Sequence, residues 1–83
     1  MEQSEIVAKV KDYIEKNFVY DQETTLKVDE SLLDSGLVDS TGILEVVSFI
    51  EETFGVSIED EEMVPDNLDS VTKISSFIAR KAQ

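Results

Sequence analysis

Cysteine and histidine are both absent from the 83 residues, which excludes disulfides, thiolate nucleophiles, the usual zinc ligands and the commonest general base. Catalysis by this chain acting alone is not expected. Basic residues are scarce as well, seven against nineteen acidic, for a formal net charge of −12. That field repels nucleic acid and anionic lipid and suits partners with basic surfaces. No apolar run approaches the roughly 18 residues of a membrane span, and no secretion-type leader opens the chain. A soluble, cytoplasmic monomer is the expectation. The chain is too short for a second domain, so residues 1–83 are read as one. At 41% hydrophobic residues it is composed to fold despite its charge.

The apolar residues that are present recur at helical spacing. Ile6, Val10, Ile14 and Phe18, widened by Val7 and Tyr13, predict a first helix from about Ser4 to Phe18. Ile43, Val46, Val47, Ile50 and Phe54 predict a second from Ser40 to Phe54, with Asp39 as its N-cap and Gly55 as its left-handed stop. Asp60 to Val64 suggests a short third helix ended by Pro65. Val71, Ile74, Phe77 and Ile78 predict a last helix from about Ser70 to Lys81, capped by Asp69. Between helices one and two, Leu26, Val28, Leu32, Leu33, Leu37 and Val38 are too many apolar residues for a free linker, so this long loop is expected to be pinned to the core. The fold class is all-α, a small four-helix bundle with a long first loop and a short third helix.

No Lys or Arg lies between Lys27 and Lys73, a stretch with thirteen acidic residues. Within it, Ser40 falls at the first position of helix two. Its hydroxyl has no histidine to activate it, so it reads as a substrate rather than a catalyst. The unpaired amides and positive dipole end of a helix start favour an anion attached to that oxygen.

The run Leu33, Asp34, Ser35, Gly36, Leu37, Val38, Asp39, Ser40 leads into a helix that closes on Glu51, Glu52, Thr53 and Phe54. Ile58, Glu59, Asp60, Glu61 and Glu62 follow it, and Asp69, Ser70 and Val71 open the last helix. This ordered set, spread over nearly the whole chain, resembles the acyl carrier protein family, in its free-standing form. The resemblance implies that Ser40 receives 4′-phosphopantetheine from coenzyme A through a phosphopantetheinyl transferase, with Asp39 binding that enzyme's magnesium ion and no metal site intrinsic to the chain. It implies a non-catalytic protein that carries acyl or aminoacyl groups as thioesters between partner enzymes. Thr41 and Gly42 fall beside the arm. Leu44, Glu45, Ser48, Glu51 and Glu52 fall on the helix-two surface that meets partners, although Leu44 is equally placed for core packing.

Thr41 and Gly42 stand where the fatty-acid-synthesis carriers have Leu followed by Asp or Glu. An Asp-Ser-x-Gly arrangement is similar to D-alanyl carrier proteins and other carriers loaded by adenylate-forming ligases, so a ligase or synthase with a basic docking surface is the expected partner. A fatty-acid-synthesis carrier and a cargo-free acidic interaction subunit are the alternatives. Calcium binding fails on the residues: Asp34 to Glu45 begins and ends as an EF-hand loop, but Gly36 and Val38 fall where oxygen ligands are needed and Asp39 where glycine is. Phe18, Phe49, Phe54 and Phe77 are expected to fill the space a long acyl chain would use, which favours a small cargo.

Overall fold

In the computed structural model, which describes residues 2–19 and 26–82, helices and turns form the whole of the regular structure and no strand is found among those residues. The first helix, α1, runs Gln3–Phe18 and buries Ile6, Val10 and Ile14, the fourfold spacing that placed them on one stripe. The second, α2, runs Ser40–Phe54, as its apolar spacing predicts. Both its ends are chemically marked. The Asp39 carboxylate accepts the Gly42 amide at 2.7 Å, and Gly55, at φ 68°, turns the chain out while its amide bonds the Glu51 carbonyl.

The expected short turn from Asp60 forms, but its extent and the part Pro65 plays differ. Asp60–Glu62 forms a single 3₁₀ turn, closed by a reciprocal cap in which Glu59 and Glu62 each accept the other's backbone amide. Pro65 does not end a helix but opens one, α3, over Pro65–Leu68. Proline suits that place because the first helical amide has no intrahelical partner and its φ is already set. The last helix, α4, runs Val71–Lys81. Its cap is Ser70, whose hydroxyl accepts the Lys73 amide at 3.0 Å, and not the expected Asp69.

Helix α1 packs along α4, and α3 packs on α4 as well. Tyr13 of α1 joins α2 to this pair: its ring stacks on Phe49 at 4.0 Å, and its hydroxyl donates to the Glu45 carbonyl at 3.3 Å. Burial, and then the Glu45 charge, raises the pKa of that hydroxyl. The core takes in the three main helices together with Leu26, Leu32 and Val38 from the long loop, Ile58 and Leu68. The loop is therefore pinned where it is described, while its residues 20–25 lie outside the described set. No helix among the described residues is long and apolar enough to cross a membrane.

One core position is polar. Ser75 is fully buried on α4, and its hydroxyl finds no hydrogen-bond partner among the described residues. A buried, unsatisfied hydroxyl costs about 1–3 kcal/mol in desolvation. Ser75→Ala is expected to raise Tm, by roughly 4–8 °C for each kcal/mol recovered in a domain of this size. A melt at or below the wild-type temperature would show that the hydroxyl is satisfied in solution.

The segment after α2 is held by charge as well as by its apolar anchors. Glu51 accepts the Ile58 amide at 2.9 Å, Lys81 reaches Glu62 at 2.8 Å, and Arg80 donates to Asn67 at 3.1 Å. The Lys81 ammonium, with the Glu59 amide, holds the Glu62 carboxyl below the usual carboxylate range. A lowered folded-state pKa gives stability that is complete above the unfolded value and lost as pH falls through the folded one. Lys81→Met should therefore show a smaller fall in Tm than wild type between about pH 6 and about pH 3. Parallel falls would remove the pair from the acid response.

Candidate functional site

Ser40 is exposed at the first position of α2, immediately after its cap. Asp39 is exposed beside it, with one carboxylate oxygen committed to the Gly42 amide and its carbonyl to the Ile43 amide at 3.0 Å. By helix geometry the amides of Ser40 and Thr41 have no intrahelical acceptor, so the positive end of a 15-residue helix lies directly behind the hydroxyl. A phosphodiester on Ser40 Oγ would be stabilised there.

Beside that hydroxyl lies a cleft of about 240 Å³ between the start of α2 and the Met63–Leu68 segment. Ser40 is its one polar lining residue; Ile43, Met63, Pro65 and Leu68 form most of its floor and far wall. Three large apolar side chains are exposed among the described residues, Leu44 at 57%, Val64 at 40% and Leu33 at 37%, and all three line this cleft. They come from three different elements. Their convergence beside one hydroxyl makes this cleft the candidate surface for a ligand or partner. A flexible chain tethered at Ser40 fits both the hydroxyl's exposure and the apolar trough next to it.

The structure divides the residues singled out from sequence. Ser40 and Leu44 line the cleft, and exposure of Leu44 settles its choice between core and surface. Asp39, Thr41, Gly42 and Glu45 border a second, shallower depression on the other side of the helix start, with Phe18 and Leu37. Thr41, Leu44, Glu45, Ser48 and Glu52 are all exposed, and at 100° per residue they occupy one arc of about 100° on α2. Glu51 leaves that arc. It lies about 20° past Leu44 and about 120° from Glu45, and its carboxylate accepts the Ile58 amide, so it holds the chain after the helix from the edge of that face.

Gly42 is buried, and a Cβ there would come within 2.9 Å of Val38 Cγ1 and 3.0 Å of Phe18 Cε1. The lack of a side chain is explained by this internal contact, with no need for an arm to approach it. Gly42→Val is expected to destabilise by about 2–3 kcal/mol through overpacking against Val38, read as a lower denaturation midpoint at unchanged slope. A neutral result would show that Phe18 and Val38 give way freely.

None of the four phenylalanines lines the cleft beside Ser40. Phe77 belongs to the core, Phe49 stacks on Tyr13 and meets Phe54 edge-on, and Phe18 meets Tyr13 edge-on at 6.1 Å. All four pack in or against the core between the helices, apart from this cleft. Leu33, Met63 and Val64 were missed as site residues. Leu33 follows Leu32, of which Leu32 is the buried one, and no signal in the sequence separates the two. No group of three or more acidic residues among the described residues is placed to hold a metal ion.

The phosphopantetheine attachment site family matches this chain over residues 8–78. Among curated proteins, the D-alanyl carrier proteins of Streptococcus pyogenes serotype M5 (strain Manfredo), serotype M49 (strain NZ131) and serotype M1 are each 38% identical over 47 residues. The matched stretch is 57% of this chain and 60% of each relative, so the chain spans about three fifths of the length of the curated relatives it matches.

Proposed function

The chain belongs to the phosphopantetheine-attachment family, a family of carrier proteins with covalently attached 4′-phosphopantetheine, and from that premise we propose that Ser40 is the attachment residue. The observation that carries the proposal is the exposed Ser40 hydroxyl at the positive end of α2, beside the cleft rimmed by Leu33, Leu44 and Val64. In the transfer, Ser40 Oγ gives up its proton and bonds to the phosphorus of the pantetheine phosphate, while the phosphoanhydride bond of coenzyme A breaks and the nucleotide leaves with the bonding electrons. When bound, the group supplies a thiol that holds acyl or aminoacyl groups as thioesters. The chain's own residues do the rest. Asp39 fixes the first turn through one oxygen and offers the other to the transferase's magnesium, while the apolar rim shelters what is tethered from water. Thr41, Glu45, Ser48 and Glu52 give a basic partner an acidic, hydrogen-bonding face. Bond making belongs to the partners, a transferase and a loading ligase or synthase.

Likeness to D-alanyl carrier proteins supports an aminoacyl cargo loaded by an adenylate-forming ligase. A second reading rests on the cleft, whose lining carries no charged side chain and suits an uncharged acyl group better than an ammonium. Transfer from alanyl- and from hexanoyl-coenzyme A separates them: an acyl group that enters the cleft raises Tm, and one that does not leaves it unchanged. The attachment itself is tested by incubating the chain with coenzyme A, magnesium and a broad-specificity phosphopantetheinyl transferase and measuring intact mass. One added arm supports the proposal. A folded chain that accepts none from several transferases is a cargo-free interaction subunit.

A further inference from the structure

Asp69, displaced from its expected role as a helix cap, is engaged at both carboxylate oxygens and at its carbonyl by one short stretch of chain. The Ser31 hydroxyl donates to Oδ2 at 2.6 Å, the Leu33 amide donates to Oδ1 at 3.0 Å, and the Leu32 amide donates to the Asp69 carbonyl at 2.7 Å. Ser31 Oγ also accepts the Asp34 amide at 3.0 Å. The Leu32 carbonyl accepts both the Ser35 hydroxyl at 3.1 Å and the Val38 amide at 3.2 Å. Residues 31–38 thus form a closed turn hung from one residue more than thirty positions away. The turn puts Leu33 on the rim of the cleft, and it ends one residue before Asp39.

We propose that Asp69 and Ser31 are positioning residues for the Ser40 site, holding the 31–38 turn so that Leu33 and the start of α2 meet the modifying enzyme as one surface. The inference rests on the reading of Ser40 as the attachment residue. Leu32 and Val38 anchor the turn from inside, but Leu33, Asp34, Ser35 and Gly36 are exposed and have no apolar anchor of their own. Leu33 is tied to Asp69 directly and Asp34 through Ser31, whose hydroxyl is itself fixed by the Asp69 carboxylate, a charge-assisted bond of the stronger class; Ser35 and Gly36 close back on Ser31, Leu32 and Leu33, so the turn is placed through Asp69. Without the strap the turn samples other shapes and must be re-ordered at each encounter, which weakens docking. Ser40 itself stays on α2, because its cap through Asp39 does not involve Asp69. The loss therefore falls on binding and not on the transfer step.

The test compares full-length wild type with Ser31→Ala, Ser31→Thr and Asp69→Asn as acceptors for the transferase, with thermal melts of each. Ser31→Ala and Asp69→Asn are expected to raise KM for the carrier about five- to tenfold with kcat within about twofold, the signature of lost ground-state binding. Ser31→Thr keeps the hydroxyl and is expected to restore wild-type KM. A wild-type KM in Ser31→Ala, a failure of threonine to restore it, or a loss that follows the unfolded fraction in the melts would overturn the positioning role while leaving Ser40 in place. A wild type that accepts no arm would overturn the Ser40 reading, and the positioning role with it.

Discussion

Ser40→Ala is expected to abolish arm addition completely, leaving the intact mass unchanged after incubation with coenzyme A and a transferase that converts the wild type. The expectation rests on the other serines as much as on Ser40. Ser70 and Ser75 are buried, and the Ser70 hydroxyl is committed as a helix cap. Ser31 and Ser35 hold the turn before α2 through their own hydroxyls. Ser48 is exposed on α2 but lies two turns from its positive end. Ser4, in the first turn of α1, and Ser57 are exposed as well and Ser76 is half-buried, but none of these lines the cleft, so among the described serines Ser40 alone combines exposure, a helix start and that cleft. Because its side chain makes no contact that the fold depends on, the variant should melt within a few degrees of wild type, an exposed substitution being worth about ±0.5 kcal/mol. An arm on the alanine variant would place the attachment elsewhere.

Leu32→Ala should produce the largest loss of stability outside the helices. Leu32 is completely buried although it sits in a loop. Truncating a buried leucine costs about 2–5 kcal/mol, and a domain of this size has about 4–12 kcal/mol in total. The variant is expected to lose a large share of its denaturation midpoint, and part of it to be unfolded at neutral pH. A loss below about 1 kcal/mol would mean that the loop rests on the core without belonging to it.

The helices were legible because their signals are local. Ile6, Val10 and Ile14 repeat at the helical period, and Asp39 and Gly55 mark the ends of α2 by the chemistry of a cap and a stop. Asp69 and Ser70 show the limit of such signals. Either residue suits an N-cap, and the choice was made by Ser31 and Leu33, which claim the Asp69 carboxylate from a distant part of the chain. Pro65 was ambiguous in the same way, since proline both ends helices and begins them. The cap between Glu59 and Glu62 closes the preceding turn early and leaves Pro65 to start the next. Ser40 was singled out as the candidate by the residues around it, whereas the cleft beside it was not legible. Its walls come from Leu33, α2 and the Met63–Leu68 segment, and only tertiary packing brings them together. Gly42 carried a signal whose meaning needed Phe18 and Val38 in place.

The packing of α1 along α4 has an electrical consequence. Residues 2–19 and 70–82 hold six basic and four acidic side chains, while residues 26–69 hold one basic and thirteen acidic. Folding pairs the two stretches that carry the cations and leaves α2 and its flanking turns almost purely anionic. Among the described residues the formal charge is therefore uneven, +2 on the α1 and α4 stretches against −12 on residues 26–69, with Ser40 in the negative part. In the field of a basic partner such a body experiences a torque before it makes any contact, and the torque acts over roughly the 8–10 Å that salt permits. It turns the serine toward the partner during the approach, so that fewer encounters arrive in the wrong orientation.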